Sequence, residues 1–456
     1  MTEFNAPRDV DPADIAVPEG YTVSAVARNL TFPSAIVFDD QGRLYVTEAG
    51  YSYGDVKTMP RLLRIEADGG TTEIAQGRNP PWTGLEYHDG AFYVAGGHLE
   101  PGRILRITMA GEITPLVDNL PSLGDHFPSG PVVGPDGWLY FGQGTATNSG
   151  VVGKGSFHFG WPHRYPGFSD VPCEDVILRG VDYTTPNWLT DDPNDEAVTG
   201  AFVPFGEPTE EGQVIPGQVP CSGAIMRVRL SGGVPELVAW GFRNPFGMDW
   251  GPDGNLYITE NQYDVRGSRP VFGTGDLLWR VEPGRWYGWP DFFAGRALHE
   301  DGWFSPPFKP SPKRLLAKYP GKPPKPIALF GVHSSSNGLD FSRNSNFGYQ
   351  GEAFVAQFGD MAPTVGKVLE PVGYKVVRVD VDSGVIHDFA VNPGESNAPA
   401  SYLNTGGLER PLDVQFDPSG TALYIADFGI MTTRNGSIEP RPGTGVIWRV
   451  TREDRQ

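Results

Sequence analysis

One pattern recurs six times along this chain and limits the folds open to it. Each copy has a polar turn, an alternating apolar strand, a second tight turn, and a strand led by Leu-Tyr or a close variant. The copies are FPSAIVFDDQGRLYVTEAG (32–50), PWTGLEYHDGAFYVAGG (81–97), FPSGPVVGPDGWLYFGQG (127–144), NPFGMDWGPDGNLYITENQ (244–262), SNGLDFSRNSNFGYQGEAFVAQFGD (336–360) and RPLDVQFDPSGTALYIADFG (410–429). The DG and SG pairs supply the positive φ that a tight hairpin needs. The flanking runs alternate with period two, as half-buried strands do. Downstream of each copy comes an apolar strand carrying an arginine: Arg64, Arg106, Arg227, Arg280, Arg378 and Arg449. Six arginines at equivalent positions are read as structural.

An inner hairpin, an arginine-bearing strand and its partner make a four-stranded antiparallel sheet. No such sheet can bury both faces alone, but six stacked radially can. The expected fold is all-β: a six-bladed β-propeller over 21–451, with an N-terminal extension (1–20) and a C-terminal tail (452–456). The strand at 21–30 has no hairpin of its own and is expected to complete the last blade. Two long excursions interrupt the rhythm. Residues 145–222 fall between the inner and outer halves of the third blade, and 285–332 between the fourth and fifth. Both are rich in aromatic residues, as in FGWPHRYPGF and RWYGWPDFFAG. That suits ordered loops that build a binding surface on a rigid scaffold.

Composition narrows the partners. The formal charge is −19, which repels phosphate backbones and anionic membranes, so no nucleic-acid partner is expected. No apolar run reaches the roughly 20 residues of a membrane-spanning helix, so no membrane insertion is expected either. The N-terminus has neither a basic nor an apolar signal-peptide region. Cys173 and Cys221 are the two cysteines. They are too few for a thiolate zinc site and fit either a disulfide closing the first excursion or two buried thiols. Signatures of nicotinamide, nucleoside triphosphate, zinc-protease and covalent haem chemistry are missing.

Three segments carry candidate chemistry. In SLGDHFPSG, His126 precedes the third inner strand and faces the expected channel, where an imidazole can act as a general base. In GFRNPFG, Arg243 begins the fourth repeat, placing a fixed charge and a fork of donors at the same rim. In TENQYDVRGSRP, Glu260, Asp264 and loop carbonyls are hard oxygen donors suited to calcium, without EF-hand spacing.

Through GDHFPSGPVVGPDGWLYFGQG, GFRNPFGMDWGPDGNLYITENQ with YGWPDFFAG, and PVGYKVVRV with RPLDVQFDPSG, the chain resembles the glucose/sorbosone dehydrogenases. These are soluble quinoprotein aldose dehydrogenases, and the likeness runs over roughly 20–450. It implies pyrroloquinoline quinone and calcium in the central cleft, a sugar substrate, a soluble electron acceptor, and a periplasmic or secreted setting. It places the catalytic base on His126 and oxyanion stabilisation on Arg243, with Asn244 beside it. It puts Gln262 and Tyr263 as calcium ligands with Glu260 nearby, and Arg410 and Lys367 at the cofactor carboxylates. Where the family has Gly-Asp after the third inner strand, this chain has Gly142-Gln143. The early glutamine that reads the quinone is replaced near Asn79. Two other activities fit the same scaffold: a calcium-dependent lactonase or hydrolase, and a non-catalytic carbohydrate-binding propeller.

Overall fold

The computed structural model describes residues 8–49, 58–300, 302–434 and 437–453. Six four-stranded antiparallel sheets surround a central channel. Blade one comprises Pro33–Phe38, Leu44–Glu48, Arg61–Ile65 and Thr71–Gln76. Blade two comprises Trp82–His88, Ala91–Gly96, Gly102–Thr108 and Ile113–Leu120. Blade three comprises Pro128–Val133, Trp138–Gln143, Ala224–Arg229 and Glu236–Trp240. Blade four comprises Asn244–Trp250, Leu256–Asn261, Gly275–Arg280 and Ala328–Val332. Blade five comprises Ser336–Phe341, Ala353–Gln357, Lys375–Asp380 and Val385–Ala390. Blade six comprises Pro411–Phe416, Ala422–Asp427, Gly445–Arg452 and, from the other end of the chain, Tyr21–Leu30. That last pairing, Tyr21 opposite Arg452 through Leu30 opposite Gly445, closes the ring as expected.

The recurring turn residues have a visible task. Asp136 accepts the Trp138 backbone N–H at 3.2 Å and the Tyr140 hydroxyl at 2.9 Å. Asp253 does the same for Asn255 (3.1 Å) and Tyr257 (2.9 Å). Each aspartate thus pins its hairpin turn to the tyrosine that enters the interblade core. Tyr45 meets Phe92 across blades one and two, Tyr140 meets Trp250 across three and four, and Tyr257 meets Phe341 across four and five, with centroids 4.6 to 5.2 Å apart. Such aromatic pairs add to the area they bury. Of the repeated arginines, Arg64 pairs with Glu66, Arg227 with Glu236 and Arg378 with Glu352, in keeping with a structural role.

Where the innermost strands converge there is no room for side chains. A β-carbon on Gly84 would lie 1.1 Å from the Gly130 carbonyl oxygen. Gly84→Ala must push two blades apart. It should lower stability by about 3 kcal/mol or more, read as a shift in the thermal midpoint by circular dichroism.

The first excursion carries two short helices and two small two-stranded sheets, and a Cys173–Cys221 disulfide closes it. The second differs from expectation. It lies inside blade four, because Ala328–Val332 pairs with Gly275–Arg280 as that blade's outermost strand. The N-terminal extension is bound to the ring: Ala16 bridges Val391, and Arg8 meets the buried Asp427 at 2.6 Å.

Candidate active site

A cavity opens where the innermost strands begin, with a volume of about 1180 Å³ including its mouth. His126, on the turn into blade three, and Arg243, on the turn into blade four, both line it. The turn residues converge because each immediately precedes an inner strand. His126 is 7% exposed and Arg243 2%.

The imidazole's protonation follows from its surroundings. His126 Nδ1 lies 2.8 Å from the Thr145 carbonyl oxygen. A carbonyl only accepts, so Nδ1 carries the hydrogen and Nε2 keeps its lone pair. Burial pushes the imidazole well below its ordinary pKa, and the charges of Arg243 and Arg266 push it further. His126 is therefore a neutral base near pH 7.

Arg243 is fixed on every side. Its Nε donates to Asn148 O (3.2 Å), Nη1 to Asn261 O (3.2 Å), and Nη2 to Asn148 Oδ1 (3.0 Å) and Asp264 Oδ2 (2.7 Å). The Thr145 N–H donates to the Arg243 carbonyl at 2.8 Å. The short segment 145–148 therefore brackets both groups, orienting the imidazole at one end and the guanidinium at the other. The buried carboxylate of Asp170 holds that segment by accepting from Ala146 N (2.7 Å), Thr147 N (3.3 Å) and the Thr147 hydroxyl.

Charge in the cavity is paired. Asp264 takes Arg243 and also Arg266 Nε (2.9 Å), and Arg266 reaches Asp125 at 2.7 Å. Burial pushes the Asp264 carboxyl up, but the two guanidinium groups outweigh it and hold it below its ordinary value. His333 Nδ1 stands 3.7 Å from the other Asp264 oxygen. Asp276 accepts the Gln262 N–H at 3.1 Å and the Ser336 N–H at 2.8 Å.

The remaining sequence-derived candidates divide. Asn244 and Gln262 line the cavity. Glu260 does not: its carboxylate accepts the Arg243 N–H (2.6 Å) and the Trp279 indole N–H, and burial pushes it up to about 7. The Tyr263 carbonyl accepts the Thr274 hydroxyl at 2.9 Å, and its ring is buried away from the cavity. Asp264, read as a hard oxygen donor for a cation, is the counterion of two arginines. Among the described residues no group of three or more His, Cys, Asp and Glu side chains is arranged to hold a metal.

Four residues expected at the cofactor lie outside the cavity lining. The Asn79 amide staples the loop at 98–101, accepting three backbone N–H groups and donating to two carbonyls. The Gln143 amide donates to Pro121 O and Gly144 O. Arg410 donates to the carbonyls of Phe358, Gly359, Asp360 and Met431. Lys367 is exposed on an outer loop. Sequence reasoning missed Asn148, Arg266, Asp276 and His333. Asn148, Arg266 and His333 sit in loops, Asp276 begins the arginine-bearing strand of blade four, and a charged residue beside Asp264 in YDVRGSRP was the one available sign.

No family model matches the chain. An uncharacterized protein of Borreliella burgdorferi is 28% identical over 208 residues. That match covers 45% of this chain and 50% of the relative, so the chain spans about half the length of the curated relative it matches. Solved structures match over nearly the whole chain. The holo pyranose dehydrogenase PQQ domain from Coprinopsis cinerea covers 96% of this chain and 97% of its own, at TM-score 0.56 and 16% identity. The calcium structure of a Trichoderma reesei Carbohydrate-Active Enzymes Family AA12 protein covers 98% and 100%, at TM-score 0.57 and 16% identity. The PQQ-bound aldose sugar dehydrogenase from Streptomyces coelicolor covers 95% and 100%, at TM-score 0.52 and 16% identity. This chain has the fold of the quinoprotein sugar dehydrogenases. Among its described residues the chain has no helix long and apolar enough to cross a membrane.

Proposed function

We propose that this protein is a quinone-dependent sugar dehydrogenase that oxidises the anomeric hydroxyl of an aldose to the lactone. Pyrroloquinoline quinone and calcium are its cofactors in this reading, and a soluble electron acceptor re-oxidises it. The observation that carries the reading is the neutral imidazole of His126, its Nδ1 fixed on Thr145, sharing one cavity with Arg243. The fold of the neighbouring structures supports it.

The donor set fits the reacting end of such a group. Asn244 Oδ1 and Asn337 Oδ1 are buried on cavity-lining residues without a hydrogen-bond partner. With Gln262 and Asp276 they offer hard oxygens of the kind calcium takes. Arg243, Asn244 and Gln262 would hold the cofactor. When bound, the quinone supplies a two-electron hydride acceptor and the calcium a Lewis acid. The chain's own residues do the rest. His126 Nε2 takes the hydroxyl proton of the sugar, and Thr145 keeps that nitrogen unprotonated beforehand. Arg243, immobilised by Asn148 and Asp264, stabilises negative charge as it develops, without reorganising.

The test is reconstitution with calcium and pyrroloquinoline quinone, followed by dye reduction with a panel of aldoses. Turnover should need both additions, and His126→Gln should lower it by about 10²–10⁴-fold with the thermal midpoint unchanged. Lactone hydrolysis with calcium alone would replace this reading with a hydrolase. Failure to bind the quinone or turn over any sugar would leave a binding propeller.

A further inference from the structure

The cavity has two unlike parts. The polar part comes from the turns into blades three, four and five. The same cavity is lined by a cluster of apolar side chains: Phe246 from blade four, Phe358 and Met361 from blade five, and Leu412, Phe428 and Ile438 from blade six. Phe358, Leu412, Phe428 and Ile438 belong to one buried cluster, with Phe246 and Met361 packed against it. Phe358 and Phe428 meet edge-on at 5.2 Å. The cationic group near this cluster, Arg410, sits behind Phe358 with its carbon 4.9 Å from the ring, and its donors are directed at backbone carbonyls.

A bare hexose carries hydroxyls around its whole rim. Against His126, Arg243 and Asp264 they find partners. Against the apolar cluster they lose water and gain nothing, at about 1–3 kcal/mol for each hydroxyl left unpaired. A ligand that meets both is polar in one part and apolar in another.

We infer that the substrate is an aldose bearing an alkyl or aryl substituent, with its hydroxyls on the polar side chains and the substituent on the Phe246–Phe358–Leu412–Phe428 cluster. The inference rests on reading the cavity as a sugar site and adds the substrate class.

Calorimetric titration of the full chain, with and without calcium and quinone, tests it. The probes are 6-O-hexylglucose and hexyl β-glucoside, each against its methyl counterpart and below micelle-forming concentrations. In at least one pair the hexyl compound should bind tenfold or more tightly than the methyl one. Met361→Ser and Phe246→Ser should each collapse that ratio, with thermal melts confirming folded protein. A hexyl-to-methyl ratio near one in the unmodified protein overturns the inference, as does a ratio that survives both substitutions, or no binding of any probe. Dye reduction with 6-O-methylglucose reads the chemistry separately. Turnover with a flat ratio keeps the dehydrogenase and removes the substituent. A steep ratio without turnover keeps the amphiphilic site and removes the dehydrogenase.

Discussion

Asp264→Ala should destabilise the protein by about 3–5 kcal/mol. The Asp264 carboxylate meets Arg243 at 2.7 Å and Arg266 at 2.9 Å, and all three side chains are largely shielded from water. Removing it leaves two guanidinium groups facing each other with one carboxylate, Asp125, still paired to Arg266. Desolvation was already met by the fold, so the loss falls on uncompensated charge rather than on a missing contact. A double variant, Asp264→Leu with Arg243→Met, should be less damaging than the sum of its parts, because it removes a charge together with its partner. Urea melts of the two single variants and the double one supply the comparison. Additive losses would show that the pair is not coupled and that Asn148 and Asn261 hold the guanidinium of Arg243 without Asp264.

The second large effect is on pH. Burial pushes the carboxyls of Asp170, Glu260 and Glu409 up to about 7 each, against roughly 4 in an unfolded chain. Between those values the folded state binds protons that the unfolded state has released, so stability falls as pH rises through the window. Lowering the pH from about 8 to about 5.5 should raise the thermal midpoint by about 5 °C or more. The buried imidazoles of His126 and His98, held below their ordinary value, offset part of this gain as pH falls below about 6.5, and Asp264 also acts in the opposite sense. Its folded value is depressed, so its contribution is present above the ordinary carboxylate range and is lost as pH falls through that lower value. The stability maximum should therefore lie on the acidic side of neutrality, with a decline below about pH 4. Asp170→Asn and Glu260→Gln keep an acceptor oxygen while removing the titration, and should flatten the slope between 5.5 and 8. Scanning calorimetry across pH decides it, and a midpoint that climbs from pH 5.5 to 8 would contradict the argument.

The site was legible in the sequence only where it coincides with the repeat. His126 and Arg243 could be singled out because they precede inner strands whose period is visible, and strands of known order must begin at one rim. Asn148 and His333 lie where no period applies, one at the head of an insertion and one on a turn with φ of 62°. Their approach to Arg243 and Asp264 depends on how loops from different blades meet. Asn79, Gln143, Arg410 and Lys367 fall outside the cavity lining. Residue type and order along the chain suited a cofactor contact, yet three of these side chains satisfy neighbouring backbone groups and the fourth faces solvent.

By itself the amino-acid order determined the number of blades, their strand composition and the closing role of 21–30. Alternation, turn chemistry and repetition are local properties, and six half-buried sheets have few ways to bury their faces. Only the tertiary structure decided which polar groups share the cavity, which carboxylate pairs with two arginines, and which apolar side chains line the same cavity. Those outcomes depend on distances between segments 100 or more residues apart, as with the Asn148 amide and Asp264. A side chain's environment there is set by what folds against it, and its chemical type alone carries no record of that partner.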